Sequence, residues 1–347
     1  MPRIAKLVTL LALAAAGVLL LVAAVDNGSG AAATTSASQA KGPMVLAFAG
    51  DVHFEGNAGV ELAANPALVL ASIAPVLRRA DLAVVNLETA VTNGGTQTSK
   101  EFVFRAPPSA FAALRAGGVD VASMANNHGM DFGESGLRDS LAAARSYHFP
   151  VIGIGLNAKQ AYAPFRRTIN GQRIAVIGAT QVLDDELISA WTAGPHKPGL
   201  ASAKDVPRLL QEVRAARRTS DTVVVFLHWG VELAQCPSQD QRTLARQLVD
   251  AGADIVVGGH AHRVQGAGRM GEALVDYGLG NFVWYGTSEL STETGVLLVT
   301  ADGRRVAGYR WEPARIVDGT PRPLAGSERR GDISSWKKLR SCTGLKP

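Results

Sequence analysis

Six short apolar runs in this chain each end in residues able to bind metal or move protons. They close on Asp51-Val52-His53, Asn86-Leu87-Glu88, Asn126-Asn127-His128, His228-Trp229-Gly230, His260-Ala261-His262 and Asn281. Five of the seven histidines fall in these bursts, and only His148 and His196 lie outside. Asp51 and His53 stand two apart, as do His260 and His262, and that spacing puts both side chains on one side of an extended strand. Mixed nitrogen and oxygen donors suit Zn, Mn or Fe better than Ca or Mg, which take all-oxygen shells. Asp51, His53, Glu88, Asn127, His228, His260 and His262 make seven candidate ligands. One tetrahedral ion takes about four, so seven suit two divalent transition-metal ions sharing a carboxylate. Such a pair clamps the attacking and leaving oxygens of a displacement at phosphorus and acidifies a water. His128, beside a candidate ligand, is placed to give a proton to the leaving oxygen, and Asp131, three residues on, to orient its imidazole.

Donors that arrive at the ends of successive apolar runs need strands to deliver them. In an open α/β sheet, ligands bind at the carboxyl ends of the strands. From residue 44 the apolar runs alternate with amphipathic segments at 62–79, 108–117, 135–147, 203–218 and 238–251, which show the three-and-four spacing of helices. That alternation predicts βαβ units and a largely parallel sheet. Further strand-like stretches lie at 172–178, 273–277, 295–300 and 306–311. The last three have no helix between them and read as hairpins, with Asp302-Gly303 supplying a turn. The expected fold class is therefore α/β, a two-sheet mixed β sandwich flanked by helices. The domain runs over 44–316, and 317–347, rich in Pro, Gly and charge, reads as a C-terminal tail.

A chain of 347 residues is long enough for one large or two ordinary domains. Its net charge of +5, from 35 basic and 30 acidic residues, is spread along the chain without a run of five like charges. No nucleic-acid partner is expected. The basic residues Arg329, Arg330, Lys337, Lys338 and Arg340 read as a solvated end or as a contact for anionic surface polymer. At the other end, Arg3 and Lys6 precede the nineteen uncharged residues 7–25. About 20 apolar residues span a bilayer, and a signal-peptide core is shorter, at about 7–15. Positive charge before the stretch and Asp26 after it put the body of the chain outside the cytoplasm. Residues 1–25 are thus expected to be a transmembrane anchor, or a signal peptide cleaved among the small residues of 31–40 and the protein secreted. Residues 26–43 read as a flexible linker. Export places Cys236 and Cys342 in an oxidising compartment, where they form a disulfide or remain two unrelated thiols.

The ordered set of motifs carries a resemblance. Gly50-Asp51, Asn86-Leu87-Glu88, Asn126-Asn127-His128 with Asp131 and Gly133, and His228-Trp229-Gly230 with Glu232 come first. Gly259-His260-Ala261-His262 with Gln265, then Tyr277-Gly278-Leu279-Gly280-Asn281-Phe282, complete it. Together they resemble the CapA family of bacterial poly-γ-glutamate capsule synthesis, within the calcineurin-like metallophosphoesterase superfamily. The resemblance implies a four-layer αββα fold. It implies Asp51, His53 and His262 on one ion, Asn127, His228 and His260 on a second, Glu88 between them and His128 as the acid. It also implies the cytoplasmic membrane and other capsule-synthesis membrane proteins as partners. Three departures stand out. Glu88 occupies the usual place of a bridging Asp, Gly129 and Met130 separate the Asn-His pair from its acidic residue, and the Gly-His-Ala-His loop lacks the usual Pro.

Each residue also has a structural reading. A lone histidine after a strand can be a hydrogen bonder, and Glu88 and Asn127 can cap the next turn. Trp229 reads as packing, and Gln265, Tyr277 and Asn281 as loop-shaping. Glu232 either orients a ligand histidine or is a surface charge. Two functions follow: a membrane-anchored phosphoesterase acting in surface-polymer synthesis, or a non-catalytic accessory protein of polymer synthesis and export whose metal site is vestigial or structural.

Overall fold

On the first strand, Met44–Val52, Met44, Leu46 and Phe48 face one way while the small Ala47 and Ala49 face the other, and both sides are buried. A strand with two buried sides belongs in the middle of a sheet covered on both faces. The structure, a computed structural model, describes residues 41–347 and builds that arrangement. Met44–Val52 pairs in parallel with Leu82–Leu87, which is followed by Val121–Ser123 and Val151–Ile152. Its other side takes the antiparallel run Glu293–Asp302, Arg305–Val317 and Thr320–Pro323, and the short Asn281–Val283 joins its exit end in parallel. The second sheet runs Ala267–Met270, Ala273–Asp276, Ile255–His260, Thr222–Trp229, Gln172–Thr180, Phe165–Ile169, with its four inner strands parallel.

The period of two in the strands sorts the core into three layers of apolar contact. Leu46, Phe48 and Val84 meet Val176, Phe226 and Val257 between the sheets. Ala47 and Val85 meet Leu62, Ile73, Phe111 and Leu137 beneath the helices of the first sheet. Ile177, Val225 and Leu227 lie under Leu209, Val213, Leu244 and Leu248 of the helices Val206–Arg217 and Gln239–Ala251. Each large apolar side chain so buried contributes about 1.5–3 kcal/mol. The result is the expected mixed two-sheet sandwich between helices.

The entrances of the parallel strands carry a repeated clamp. Asp81, Asp120, Asp221 and Asp254 each stand one residue before a strand. Their carboxylates accept from the backbone N–H of Val45, Ala83, Arg173 and Val223 on the neighbouring strand, all at 2.8 Å. Their own N–H groups donate to the carbonyls of those four residues at 2.7–2.9 Å. A two-bond clamp fixes register, and a one-residue slip would turn every side chain to the wrong face.

Several expectations change. The segment 62–79 is not one helix: Asn57–Ala64 ends before Pro66, and only Ala74–Leu77 re-forms a turn. Proline lacks the N–H and excludes the preceding residue from helical geometry. The stretch after 316, expected as a tail, belongs to the fold. Thr320–Pro323 pairs into the first sheet, and the helix Gly326–Leu339 lays Trp336 on Trp311 with ring centroids 5.7 Å apart. The helix buries that one tryptophan and little else, so periodicity gives no signal for it. Of the two readings of the cysteines, the bonded one holds: Cys236 and Cys342 are joined. The expected anchor or signal at 1–25, and most of the linker, lie outside the described residues. Among the described residues no helix is long and apolar enough to cross a membrane.

Candidate metal centre

All six apolar runs end at one edge of the sandwich, because the strands that carry the bursts are parallel within each sheet. Asp51 is paired with Asn86 on one side and Asn281 on the other, and His228 lies opposite Gly259 in the second sheet. Three links then cross between the sheets. Asn86 Nδ2, which donates to Asp51 Oδ1 at 2.8 Å within the first sheet, lies 3.0 Å from His228 Nδ1 of the second. The His260 N–H donates to Asp51 Oδ2 at 2.9 Å, and His262 Nδ1 lies 2.9 Å from Asn281 Oδ1.

Two glycines make the approach possible. A Cβ on Gly50 would sit 1.8 Å from the Gly280 carbonyl oxygen, and one on Gly259 would sit 2.3 Å from Asp51 Oδ1. The histidines carry strain in return. His260 has φ 87° and His262 φ 52°, a region that side chains other than glycine's enter at a cost of about 1–3 kcal/mol.

Three groups of histidines and carboxylates bring donor atoms within 4.8 Å of one another: Glu88 with His228 and His260, Asp51 with Glu88 and His262, and Glu232 with His260 and His262. Glu88 belongs to two of them and is fully buried, with its Oε1 3.3 Å from His228 Nε2. Asn127 Oδ1 lies 2.7 Å from the same His228 Nε2. His53 falls in none of the three groups. It is packed between Phe104, 4.6 Å away, and Trp284, 4.2 Å away, and its Nδ1 accepts from the Glu55 N–H. Its Nε2 is buried without a partner, as are both Glu88 oxygens and His260 Nδ1. Buried polar atoms without partners are rare and costly. Four of them in one cluster fit a site shaped for a cation.

Electrostatics agree with that chemistry. Burial pushes His53 and His228 down to about 3 and His260 well below its ordinary value, so all three are neutral imidazoles. Burial, reinforced by the charge of Asp51, raises Glu88 well above the carboxylate range. Burial would raise Asp51 as well, but the His262 hydrogen bond and nearby imidazoles hold it at about 2. For His262, burial opposes the proton, yet Glu88 and Asp51 outweigh it and lift the ring to about 9.

Beside the cluster stands the proton-handling pair. His128 Nδ1 lies 2.6 Å from Asp131 Oδ2, and its Nε2 lies 4.0 Å from Glu88 Oε1. Asp131 also accepts from the Phe104 N–H and from Lys100 Nζ, both at 2.7 Å. Burial lowers His128, and Asp131 counters part of that. Phe104 stacks on the imidazole at 4.1 Å.

Sequence reasoning missed several residues here. Asn126 donates to Asn86 Oδ1 at 3.1 Å and to the Leu87 carbonyl at 2.8 Å, so Asn86 and Asn126 brace the cluster. Both stood in the polar bursts, which was the available signal. Lys100, which donates to the Asn127 carbonyl as well as to Asp131, sits in an aperiodic loop that gave none. Asn281 holds His262, a more direct part than shaping its loop. Trp229 packs on Tyr277 and donates to its carbonyl at 2.9 Å.

The bacterial capsule synthesis protein family PGA_cap matches residues 45–285, which include all seven candidate ligands, His128 and Asp131. The chain belongs to that family. Among PGA_cap relatives, the capsule biosynthesis protein CapA of Bacillus anthracis is 29% identical over 268 residues, covering 75% of this chain and 64% of its own length. The PGA biosynthesis protein CapA of Bacillus subtilis is 30% identical over 259 residues, covering 73% of this chain and 66% of its own. The matched stretch thus spans just under two thirds of either relative. A hypothetical protein from Thermus thermophilus shares the fold, with a TM-score of 0.51 at 20% identity over 79% of this chain and 100% of that one.

Proposed function

We propose that this PGA_cap protein is a metal-dependent hydrolase of phosphate esters, held outside the cytoplasmic membrane and acting in the synthesis or export of a poly-γ-glutamate-type surface polymer. The catalytic part rests on one observation, the convergence of carboxylate, imidazole and amide donors with four buried atoms left unpartnered. Asp51, His53, Glu88 and His262 would hold one divalent ion, and Glu88, Asn127, His228 and His260 a second, as Mn, Fe or Zn. Bound there, the ions supply positive charge for a phosphoryl group and lower the pKa of water. The chain's own residues do the rest. Asn86, Asn126 and Asn281 fix the donors, and Asp131 orients the His128 ring through Nδ1. His128 Nε2, which has no hydrogen-bond partner, would act from the imidazolium form. With Nδ1–H held by Asp131, the second proton, on Nε2, passes to the departing alkoxide as water attacks phosphorus and the ester P–O bond breaks, leaving a neutral ring that solvent reprotonates.

The polymer assignment is supported by the Bacillus relatives, which are named for capsule and PGA biosynthesis. The location outside the cytoplasm is supported by the uncharged stretch 7–25 and the Cys236–Cys342 bond, which persists in oxidising compartments. Protease added to spheroplasts is expected to digest the protein while sparing a cytoplasmic marker. For catalysis, a panel of chromogenic phosphomonoesters and phosphodiesters with added Mn is the direct assay. His262→Ala is expected to lose bound metal and about a thousandfold in rate, with a thermal melt as the folding control. Unchanged metal and rate would end this reading. Full restoration of polymer in a deletion strain by the Asp51→Ala/His262→Ala double variant would leave the accessory role in its place.

A further inference from the structure

The cleft above the cluster has a volume of about 470 Å³ and is lined by His128 and His262 at its floor. His128 is 4% exposed, and its unpartnered Nε2 opens into this space. The rim has a different character. Glu101, Asp184 and Glu186 line it, all exposed, and among the described residues none of the three has an ion-pair partner within 4.0 Å. The one lysine in the lining, Lys100, is already committed to Asp131. Three free carboxylates at the mouth stand out on a chain whose net charge is +5. Phe102 and Tyr285 line the same cleft with 56% and 44% of their surface exposed, and Trp284 stacks on Tyr285 with ring centroids 5.3 Å apart, which leaves part of the Tyr285 ring open to the cleft.

We infer that the cleft selects phosphate esters whose non-phosphate part carries a cationic group such as an ammonium, and rejects polyanionic chains. This rests on the phosphoesterase reading for the floor and adds what the rim requires. The phosphoryl group goes to the cationic floor. The group attached to it then lies against Phe102, Tyr285 and the rim carboxylates, where an ammonium gains from the aromatic faces and from the negative potential. A polyglutamate strand brings a carboxylate per residue to the same place and is repelled. The substrate in polymer synthesis is accordingly a small phosphorylated compound rather than the anionic polymer itself.

The test compares p-nitrophenyl phosphorylcholine with p-nitrophenyl 3,3-dimethylbutyl phosphate, in which a neutral carbon replaces the ammonium nitrogen, on the Mn-loaded protein. The cationic ester is expected to show a KM lower by about tenfold with kcat nearly the same, and the gap to shrink at high salt. Combined Glu101→Gln, Asp184→Asn and Glu186→Gln substitutions are expected to reduce the preference to about twofold. Calorimetric titration with phosphocholine and with 3,3-dimethylbutyl phosphate gives the same comparison without turnover. If neither ester is hydrolysed, the phosphoesterase reading fails, and the calorimetric ratio still decides the cation preference. Equal binding of the two, tighter binding of the dimethylbutyl compound, or a preference untouched by the triple substitution overturns the inference.

Discussion

The two ends of the same parallel strands treat their acidic residues in opposite ways. At the entrances, Asp81, Asp120, Asp221 and Asp254 each accept a backbone N–H from the neighbouring strand. Asp254 also holds Arg217 at 2.5 Å and Arg304 at 3.4 Å, and side-chain hydrogen bonds from Arg173 keep Asp221 well below the carboxylate range. At the exits, Glu88 has neither oxygen bonded, and it lies within a few ångströms of Asp51 and His228. Satisfied acids set register and stability, whereas unsatisfied ones store free energy that a cation can release. The sandwich is held at one end and made reactive at the other.

Asp276 tests that contrast from within the exit side, since it ends the strand Ala273–Asp276 but joins no donor cluster. Burial raises it to about 7, against one hydrogen bond from the Gly278 N–H, and its Oδ2 has no partner. The folded state therefore holds a proton that the unfolded chain releases near pH 4. Stability should be highest below about pH 4 with respect to this group and fall as pH rises through 7, by up to about 4 kcal/mol. Asp276→Asn keeps the acceptor for Gly278 and should abolish that slope in urea unfolding at pH 5 and pH 8. An unchanged slope would mean that Asp276 is not the buried neutral acid described here.

Asp254→Ala strikes the other end. It removes a buried carboxylate serving one backbone N–H and two arginines, and should cost about 3 kcal/mol in denaturant titrations while metal content stays at the wild-type level. Loss of metal together with stability would blur the division between the two ends. Asn86→Ala is milder. It frees Asp51 and His228 from their shared brace, and metal affinity is expected to drop by about tenfold, with unfolding free energy lowered by only about 1 kcal/mol.

Much of the fold was visible in the chain. The helices at Gly133–Ser146, Val206–Arg217 and Gln239–Ala251 fall within two or three residues of their expected bounds, because each presents a full apolar stripe and the last carries a Ser238–Gln241 capping box. The hairpin Glu293–Asp302 to Arg305–Val317 was legible from Asp302-Gly303, and Gly303 takes the positive φ of 60° that such a turn needs. The ordering of the donors along one edge was legible too, because strand ends deliver them.

What stayed hidden depends on which strand lies beside which. The Asn86–His228 contact joins residues 142 apart across two sheets, and the entrance clamps reveal their partners only once strand order is known. Lys100 and the acidic rim sit on loops, where side-chain placement has no periodic signature. His53 illustrates the same limit from the other side. Its spacing marks it as a ligand, yet its ring is set by Phe104 and Trp284, which lie far away in the sequence.

The central claim, that the exits form a site for divalent ions organised around Glu88, is tested most directly by metal stoichiometry. Wild-type protein and Glu88→Gln would be stripped, reloaded with Mn, desalted and measured by elemental mass spectrometry, with thermal melts of both metal-free proteins alongside. About two ions per wild-type chain and fewer than one in Glu88→Gln are expected. The metal-free variant should melt at or above the wild type, because an unpartnered buried carboxylate has been removed. Fewer than one ion in the wild type, or equal loading of the two proteins, would contradict the account.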